Sequence, residues 1–291
     1  MKIKDLRKDF IDSLSELYGL EEARSFFYLL SEYKLGLQRV NIALELDRIL
    51  NKEDLSYFKE AKIRLLHEEP IQYIIGDTEF YGLLFKVNQH VLIPRPETEE
   101  LVDWIVKDWQ SINNTRKLTI LDIGTGSGCI AISLATALSN ADVYAIDVSE
   151  QAIEVAKFNA KYHEVDIQFM HSDILEMNSL PHKFDIIVSN PPYVRELEKE
   201  EIQANVLENE PSIALFVSDE NPLIFYEKIT ALAKEGLTDT GALYFEINQY
   251  LGVETKNMIQ EYEYEFIDLR KDINGNDRMI RACNTKNIIN E

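Results

Sequence analysis

Near its middle the sequence reads Asp122-Ile123-Gly124-Thr125-Gly126-Ser127-Gly128. An apolar run, 118–123, leads into these residues, and apolar side chains at helical spacing follow over 130–138. A strand that turns through alternating glycines into a helix presents free backbone N–H groups and lets a ligand approach the backbone closely. The stretch therefore predicts a nucleotide-like cofactor at the carboxyl end of a sheet, and a P-loop is excluded because no Gly-Lys-Ser/Thr follows. A tight turn without a ligand is the weaker alternative, since three glycines would destabilise such a turn with no gain in packing.

Acids after the next two strands extend this prediction. Asp147 ends the strand 143–146, where a carboxylate can accept hydrogen bonds from both hydroxyls of a ribose. The acid–Gly-x-Gly-x-Gly pattern with this second acid resembles the cofactor site of Rossmann-like methyltransferases that use S-adenosylmethionine. The resemblance implies that Asp173 and Ile174 hold the adenine, although a helix N-cap at Ser172 or Asp173 is an alternative. The cofactor-binding residues predicted in this way are Asp122, Gly124, Thr125, Gly126, Ser127, Gly128, Asp147, Asp173, Ile174 and Asn190.

The periodicity along the chain predicts two different architectures. Four helical patterns cover 3–18, 21–35, 40–50 and 55–67, and Pro70 ends the series. From residue 97 onward strands alternate with helices, which predicts a mostly parallel sheet covered on both faces. The last two strands are joined only by the short connector 272–277, which is rich in turn residues, and this predicts that the final strand is antiparallel. We therefore expect an N-terminal helical domain over 1–75, a β-hairpin linker over 76–96, and over 97–291 an α/β class I Rossmann-like methyltransferase domain with seven strands.

Composition restricts the partners and the compartment. The chain has 291 residues and a formal net charge of −21, so a nucleic-acid backbone or an anionic membrane surface would repel it. Two cysteines, Cys129 and Cys283, are too few for a zinc cage or a disulfide scaffold, and the five histidines lack metal-ligand spacing. No signal peptide and no membrane-spanning stretch is visible. We expect a cytoplasmic protein without a metal.

A second motif, Asn190-Pro191-Pro192-Tyr193, follows the buried strand 184–188. Proline fixes the backbone φ angle and has no N–H group, so this segment offers carbonyl acceptors with few donors. Asn190 adds a side-chain amide oxygen as a further acceptor. Two acceptors beside an aromatic ring suit a planar NH₂ group, because each can take one N–H hydrogen. A simple loop after the strand is the alternative. The four residues match the Asn/Asp-Pro-Pro-aromatic motif of methyltransferases that modify nitrogen, either in nucleic-acid bases or in a protein glutamine.

Motifs over nearly the whole chain resemble the release factor glutamine methyltransferases, the PrmC/HemK family. In that family's order they are 70–76, the hairpin residues 80–82 and 85–87, the segment Leu92 to Glu99, residues 120–132 with the glycine stretch, Ser189 to Tyr193, Glu210-Pro211 and 272–278. The sequence departs from the family at Ser212-Ile213, where an arginine often follows the proline. This departure lies in a loop near the expected site.

The resemblance implies S-adenosylmethionine-dependent methylation of the side-chain nitrogen (N5) of the glutamine in the Gly-Gly-Gln loop of peptide chain release factors. Asn190, Pro191, Pro192 and Tyr193 are then the catalytic and substrate-binding residues, and the helical domain docks the release factor. A nucleic-acid adenine or guanine N-methyltransferase, a methyltransferase of another protein glutamine, and a binding module without activity are the alternatives. The charge of −21 disfavours the first, and the intact motifs disfavour the last.

Four more residues have two interpretations each. Arg95, Glu97 and Thr98 either border the methionine part of the cofactor or simply start a helix with Pro96 in its first turn. Glu246, at the end of a strand, either faces the cofactor or is solvated.

Overall fold

The computed structural model describes residues 1–201 and 204–284. The chain forms two compact units, Met1–Gly76 with Ala204–Asn209, and Asp77–Gln203 with Glu210–Glu291. The helices in chain order are α1 (Ile3–Tyr18), α2 (Leu20–Leu35), α3 (Arg39–Leu44), α4 (Lys52–Leu66), α5 (Ile71–Ile75), α6 (Pro96–Asn113), α7 (Cys129–Ala137), α8 (Glu150–Tyr162), α9 (Ala204–Asn209), α10 (Ser212–Leu215), α11 (Ile224–Gly236) and α12 (Gly252–Glu261). The strands are β1 (Asp77–Phe80), β2 (Leu83–Lys86), β3 (Leu118–Ile123), β4 (Ala141–Asp147), β5 (Ile167–His171), β6 (Phe184–Ser189), β7 (Val194–Arg195), β8 (Phe216–Val217), β9 (Leu237–Glu246), β10 (Phe266–Lys271) and β11 (Asp277–Cys283). A 3₁₀ helix covers Glu196–Glu201.

The smaller unit is helical and is built around three phenylalanines. Phe10, Phe27 and Phe58 come from α1, α2 and α4 and are fully buried. Their ring centroids lie 5.4 to 6.4 Å apart. Aromatic pairs at this distance stabilise a core beyond the area that they bury. Glycines at positive φ end α2 and α5, since Gly36 has φ 65° and Gly76 has φ 83°.

Two local predictions in this unit were wrong. The helix expected over 40–50 ends at Leu44, because the carbonyls of Leu46 and Arg48 accept hydrogen bonds from the backbone at residues 4 and 3 instead of closing helical turns. The helical series also continues past Pro70. The Pro70 carbonyl accepts hydrogen bonds from the backbone N–H groups of residues 73 and 74, and this starts α5.

The larger unit contains a seven-stranded sheet in the order β10-β11-β9-β6-β3-β4-β5. β9, β6, β3, β4 and β5 run parallel, and β11 is antiparallel to both of its neighbours. The mostly parallel seven-stranded sheet with an antiparallel last strand and the N-terminal helical unit are thus confirmed. The predicted hairpin exists as β1 and β2, and its residues fall within the larger unit. Residues 285–291 of the predicted 97–291 domain lie outside the described residues.

Both faces of this sheet are covered by helices. Ile120, Val188 and Tyr244 point into a core shared with α6 and α7. Their strand neighbours, such as Leu121 and Ile187, point into a second core shared with α11 and α12. The side chains of a strand alternate between the two faces of the sheet, and both faces are buried here. The central strands are therefore continuous apolar runs in the sequence. The carboxyl ends of β3, β4 and β6 meet at one edge of this sheet, and the glycine stretch lies there.

In the part of the chain that the structure describes, no helix combines the length and apolar character needed to cross a membrane. No group of three or more His, Cys, Asp or Glu side chains within 1–201 and 204–284 is arranged to hold a metal ion.

Candidate active site

A cavity of about 300 Å³ lies at the carboxyl end of the parallel strands in the larger unit. This volume is at the lower end of the range usual for small-molecule sites. The residues predicted to bind cofactor or substrate that line it are Gly124, Thr125, Gly126, Ser127, Asp147, Asp173, Ile174, Asn190, Pro191 and Pro192. Three other predicted residues, Asp122, Gly128 and Tyr193, do not line it.

The glycine loop after β3 takes its shape from positive φ angles. The backbone φ angles of Gly124, Gly126 and Gly128 are 74°, 55° and 82°, and residues other than glycine rarely adopt such values. A Cβ on Gly128 would lie 2.9 Å from Ile132 Cδ1 and 3.2 Å from Ala156 Cβ. Gly128 is therefore needed for packing between α7 and α8, whereas Gly124 and Gly126 form the wall of the cavity.

Two carboxylates, those of Asp122 and Asp147, accept hydrogen bonds from the glycine loop. Asp122 is fully buried and accepts a hydrogen bond of 2.7 Å from Thr125 Oγ1, and burial raises its pKa to about 7. Asp147 accepts hydrogen bonds from Gly126 N (2.8 Å) and Ser149 N (2.9 Å), and burial raises its pKa too, against these bonds. Each carboxylate oxygen has a second lone pair, so Asp147 can accept further hydrogen bonds from a ligand in the cavity.

Asp173 and Ile174 also line the cavity. The Asp173 Oδ1 atom accepts a hydrogen bond of 2.9 Å from Leu175 N. No helix starts in the described chain between β5 and β6, so the alternative of a helix N-cap at Ser172 or Asp173 is wrong. Ile174 is buried and belongs to the second core, which gives this wall an apolar surface.

The Asn190 amide is oriented by two side chains from other elements. Its Nδ2 donates to Thr98 Oγ1 at 3.3 Å, and Thr98 Oγ1 donates to Glu246 Oε2 at 2.6 Å. Thr98 and Glu246 are only 2% and 1% exposed. With Nδ2 bonded to Thr98, Oδ1 is the end of the amide that remains for a ligand. The interpretation of Glu246 as a solvated strand end is therefore wrong.

Tyr193 takes part in the same network and does not wall the cavity. Its hydroxyl donates to Glu246 Oε1 at 3.1 Å, and its ring packs against the second core. Its backbone carbonyl accepts a hydrogen bond of 2.9 Å from Asn248 Nδ2. Burial raises the pKa of the Tyr193 hydroxyl, which therefore stays protonated and keeps its donor role.

Residues at the start of α6 contribute both to the end of the helix and to the cavity wall. Arg95 is the N-cap residue of α6, as the interpretation of a helix start requires, and it also lines the cavity. Its guanidinium is 2.6 Å from Glu210 Oε1, and Ile93 N donates to the other oxygen at 3.1 Å. Glu97 does not line this cavity. The buried Glu210 carboxylate thus holds Arg95 and Ile93 in place beside the cavity. The sequence indicated Glu210 only as part of a family motif and gave no role for it.

Together the doubly wound sheet, the glycine loop and the Asn-Pro-Pro-Tyr segment at the end of β6 define a Rossmann-like methyltransferase. Residues 5–76 match the model of the PrmC N-terminal domain family, and 109–215 match that of the methyltransferase small domain family. The chain belongs to the release factor glutamine methyltransferase family.

Two curated relatives and one solved structure illustrate these similarities. A release factor glutamine methyltransferase of Flavobacterium psychrophilum is 52% identical, over 97% of this chain and 99% of that one. One from Bacteroides thetaiotaomicron is 45% identical, over 93% and 96%. The fold is also similar to that of a methyltransferase from Pyrococcus furiosus, with a TM-score of 0.52 at 16% identity over 78% of this chain and 98% of that chain.

Proposed function

We propose that the protein transfers a methyl group from S-adenosylmethionine to the side-chain amide nitrogen (N5) of the glutamine in the Gly-Gly-Gln loop of peptide chain release factors. The orientation of the Asn190 amide carries this proposal. Its Nδ2 is bonded to Thr98, and Asn190 and Pro191 both line the cavity, so we infer that the oxygen end of the amide is presented to a ligand there. A pair of acceptors at that point suits an NH₂ group. We place the reaction in the cytoplasm, where release factors act.

The residues around the cavity fit S-adenosylmethionine. Asp147 offers carboxylate oxygens to ribose hydroxyls, the glycine loop brings backbone close to the ligand, and Ile174 with Phe225 offers apolar surface to the adenine. S-adenosylmethionine supplies an electrophilic methyl group when it is bound. Asp122 and Gly128 act indirectly in this proposal, because they support the loop from outside the cavity wall.

Catalysis rests on holding a poor nucleophile in place. The nitrogen lone pair of a glutamine amide is delocalised into its carbonyl. In our proposal Asn190 Oδ1 and the Pro191 carbonyl each accept one N–H hydrogen, which draws electron density onto the nitrogen and favours the positive charge that develops there. Pro192 helps to exclude water, and Tyr193 supports the site through Glu246. No general base is needed, since the methylated product is acidic enough to lose its proton to solvent.

The direct test is transfer of a labelled methyl group with purified release factor, DNA and RNA offered separately. We expect one added methyl on the release factor glutamine. Transfer to nucleic acid instead would support an adenine or guanine N-methyltransferase, which the same Asn-Pro-Pro-Tyr chemistry allows. The net charge of −21 makes this second outcome unfavourable. Transfer to a different protein glutamine would keep the chemistry and change the partner.

Asp147→Ala is expected to weaken S-adenosylmethionine binding by about 1.5–3 kcal/mol, because charge-assisted hydrogen bonds to the ribose are lost. Isothermal titration calorimetry measures the change. Asp142→Ala is the matched control, since Asp142 lies at the start of the same strand and pairs with Lys117. Equal cofactor affinity in the wild type and Asp147→Ala would remove Asp147 from the site.

We further propose that the helical domain, residues 1–75, docks the release factor, that 76–96 is a hairpin linker and that 97–291 carries catalysis. Apolar side chains exposed on the helical unit support the docking role. Val40 and Leu44 on α3 are 73% and 81% exposed, and their spacing of four residues places them on one side of the helix. Exposed apolar side chains grouped in this way are typical of a surface that binds another protein.

Leu44→Asp is expected to raise KM for the intact release factor about 5- to 30-fold, because a charge replaces an apolar contact in the interface. The kcat for a short Gly-Gly-Gln peptide should stay unchanged, since the peptide would not reach this surface. Val253→Asp is the control, because Val253 is 60% exposed on α12 of the other unit. Unchanged kinetics with the intact release factor would contradict docking through α3.

A further inference from the structure

A buried chain of hydrogen bonds gives the Asn190 amide a direction. The Thr98 hydroxyl carries one hydrogen, which it donates to Glu246 Oε2 at 2.6 Å. The same Thr98 oxygen therefore has only lone pairs to offer Asn190, and it accepts from Nδ2 at 3.3 Å. An amide rotated by 180° would bring Oδ1 against an oxygen that has no hydrogen left to donate.

The direction of these hydrogen bonds depends on Glu246, the buried acceptor at their end. An ionised carboxylate is acceptor-only, so it draws the Thr98 hydrogen toward itself. If that acceptor were missing, the Thr98 hydroxyl would be free to donate to Asn190 Oδ1. The amide could then turn its NH₂ group toward the cavity, where it would meet the NH₂ group of the substrate, donor against donor.

We propose that Glu246, acting through Thr98, is the positioning residue that keeps the Asn190 oxygen turned toward the substrate amide. The proposal rests on the function proposed above. Glu246 touches neither ligand in this account. It sets which end of the Asn190 amide the cavity presents, and so it determines that the site reads an NH₂ group rather than an acceptor.

The surroundings of Glu246 suit an acceptor. Burial and, to a smaller extent, the Glu97 charge raise its pKa, whereas Thr98, the nearby Arg278 charge and the Tyr193 hydroxyl favour the ionised form. Its two oxygens receive one hydroxyl each, from Thr98 and from Tyr193. One carboxylate thus holds two separate parts of the site, the amide of Asn190 and the ring of Tyr193.

The test compares variants of the full chain in methyl transfer to intact release factor. Thr98→Val keeps the shape and removes the hydroxyl, so kcat should fall on the order of 100-fold, while the Kd of S-adenosylmethionine stays within about threefold. Thr98→Ser restores the hydroxyl and should recover kcat to within about threefold of the wild type. Thr255→Val is the matched control, because it also removes a buried hydroxyl bond, to the Leu251 carbonyl, but far from Asn190 along the chain.

A double-mutant cycle tests whether Glu246 works through Thr98. Glu246→Leu should lower kcat on the order of 100-fold, and adding Thr98→Val should lower it by no more than about threefold again. Thermal unfolding shows whether Glu246→Leu folds, and the Thr98 variants decide the question if it does not. Fully multiplicative losses, or a Thr98→Val enzyme within about threefold of the wild-type kcat, would overturn the proposal.

The Asn190 amide also has a signal that does not depend on activity. In protein labelled with ¹⁵N-asparagine, the Nδ2 hydrogen bonded to Thr98 should exchange slowly with solvent, and Thr98→Val should make it fast. Fast exchange in the wild type would overturn the hydrogen-bond chain. A wild-type enzyme that shows slow exchange but does not methylate release factor would instead contradict the proposed function and leave the chain intact.

Discussion

Asn190→Ala is expected to lower kcat for release factor methylation by about 10²–10³-fold. The substitution removes one of the two acceptors that hold the substrate NH₂ group. Loss of one hydrogen-bonding group aimed at charge that develops in a transition state typically costs about 3–4 kcal/mol. The remaining Pro191 carbonyl can hold one hydrogen but cannot fix the plane of the amide. Single-turnover kinetics with labelled S-adenosylmethionine measures the change.

Cofactor binding separates this effect from general damage to the site. The backbone of Asn190 stays in place against Gly124, so S-adenosylmethionine should bind Asn190→Ala with less than about a tenfold loss of affinity. Asn140→Ala is the control, because it also removes a hydrogen-bonded asparagine amide, one that donates to the Asn113 carbonyl. A rate for Asn190→Ala close to that of the wild type would show that the Asn190 side chain does not hold the substrate.

The sequence predicted the parts of this site that are local in the chain. The glycine loop lies within seven residues, and Asn190 to Tyr193 within four, so their residue types and strand–turn contexts are visible directly. Alternation of strands and helices predicted the parallel sheet, because each element carries its own period. The antiparallel final strand followed from a short connector that is rich in turn residues.

The parts that could not be predicted depend on distant partners. Glu246 meets Thr98 across 148 positions and Tyr193 across 53, and no local pattern distinguishes a buried strand-end carboxylate from a solvated one. The helix expected over 40–50 fails for the same reason, since residues 46 and 48 hydrogen-bond to the first turn of the chain. Here tertiary hydrogen bonds override the local helix propensity of the sequence.

Replacing the target glutamine of the release factor by glutamate is expected to abolish methyl transfer. A glutamate carboxylate offers no N–H hydrogen, so Asn190 Oδ1 and the Pro191 carbonyl would have nothing to accept. The carboxylate would also bring negative charge against two oxygens, which is repulsive in a site that excludes water. Sites built to pair a substrate N–H or O–H group reject analogues that lack it by about 10⁴–10⁵-fold, far more than an apolar pocket can.

The outcome depends on which end of the Asn190 amide faces the substrate, so this prediction tests the whole hydrogen-bond chain from Glu246 outward. With Oδ1 facing the cavity, glutamine is read and glutamate is refused. With Nδ2 facing it, the amide would donate to a carboxylate, and glutamate would be accepted as a methyl ester. Mass spectrometry of the target peptide distinguishes the two, because one added methyl should appear on the glutamine peptide and none on the glutamate peptide. Efficient esterification of glutamate would mean that Asn190 and Pro191 do not act as the pair of acceptors, whatever the rate on glutamine.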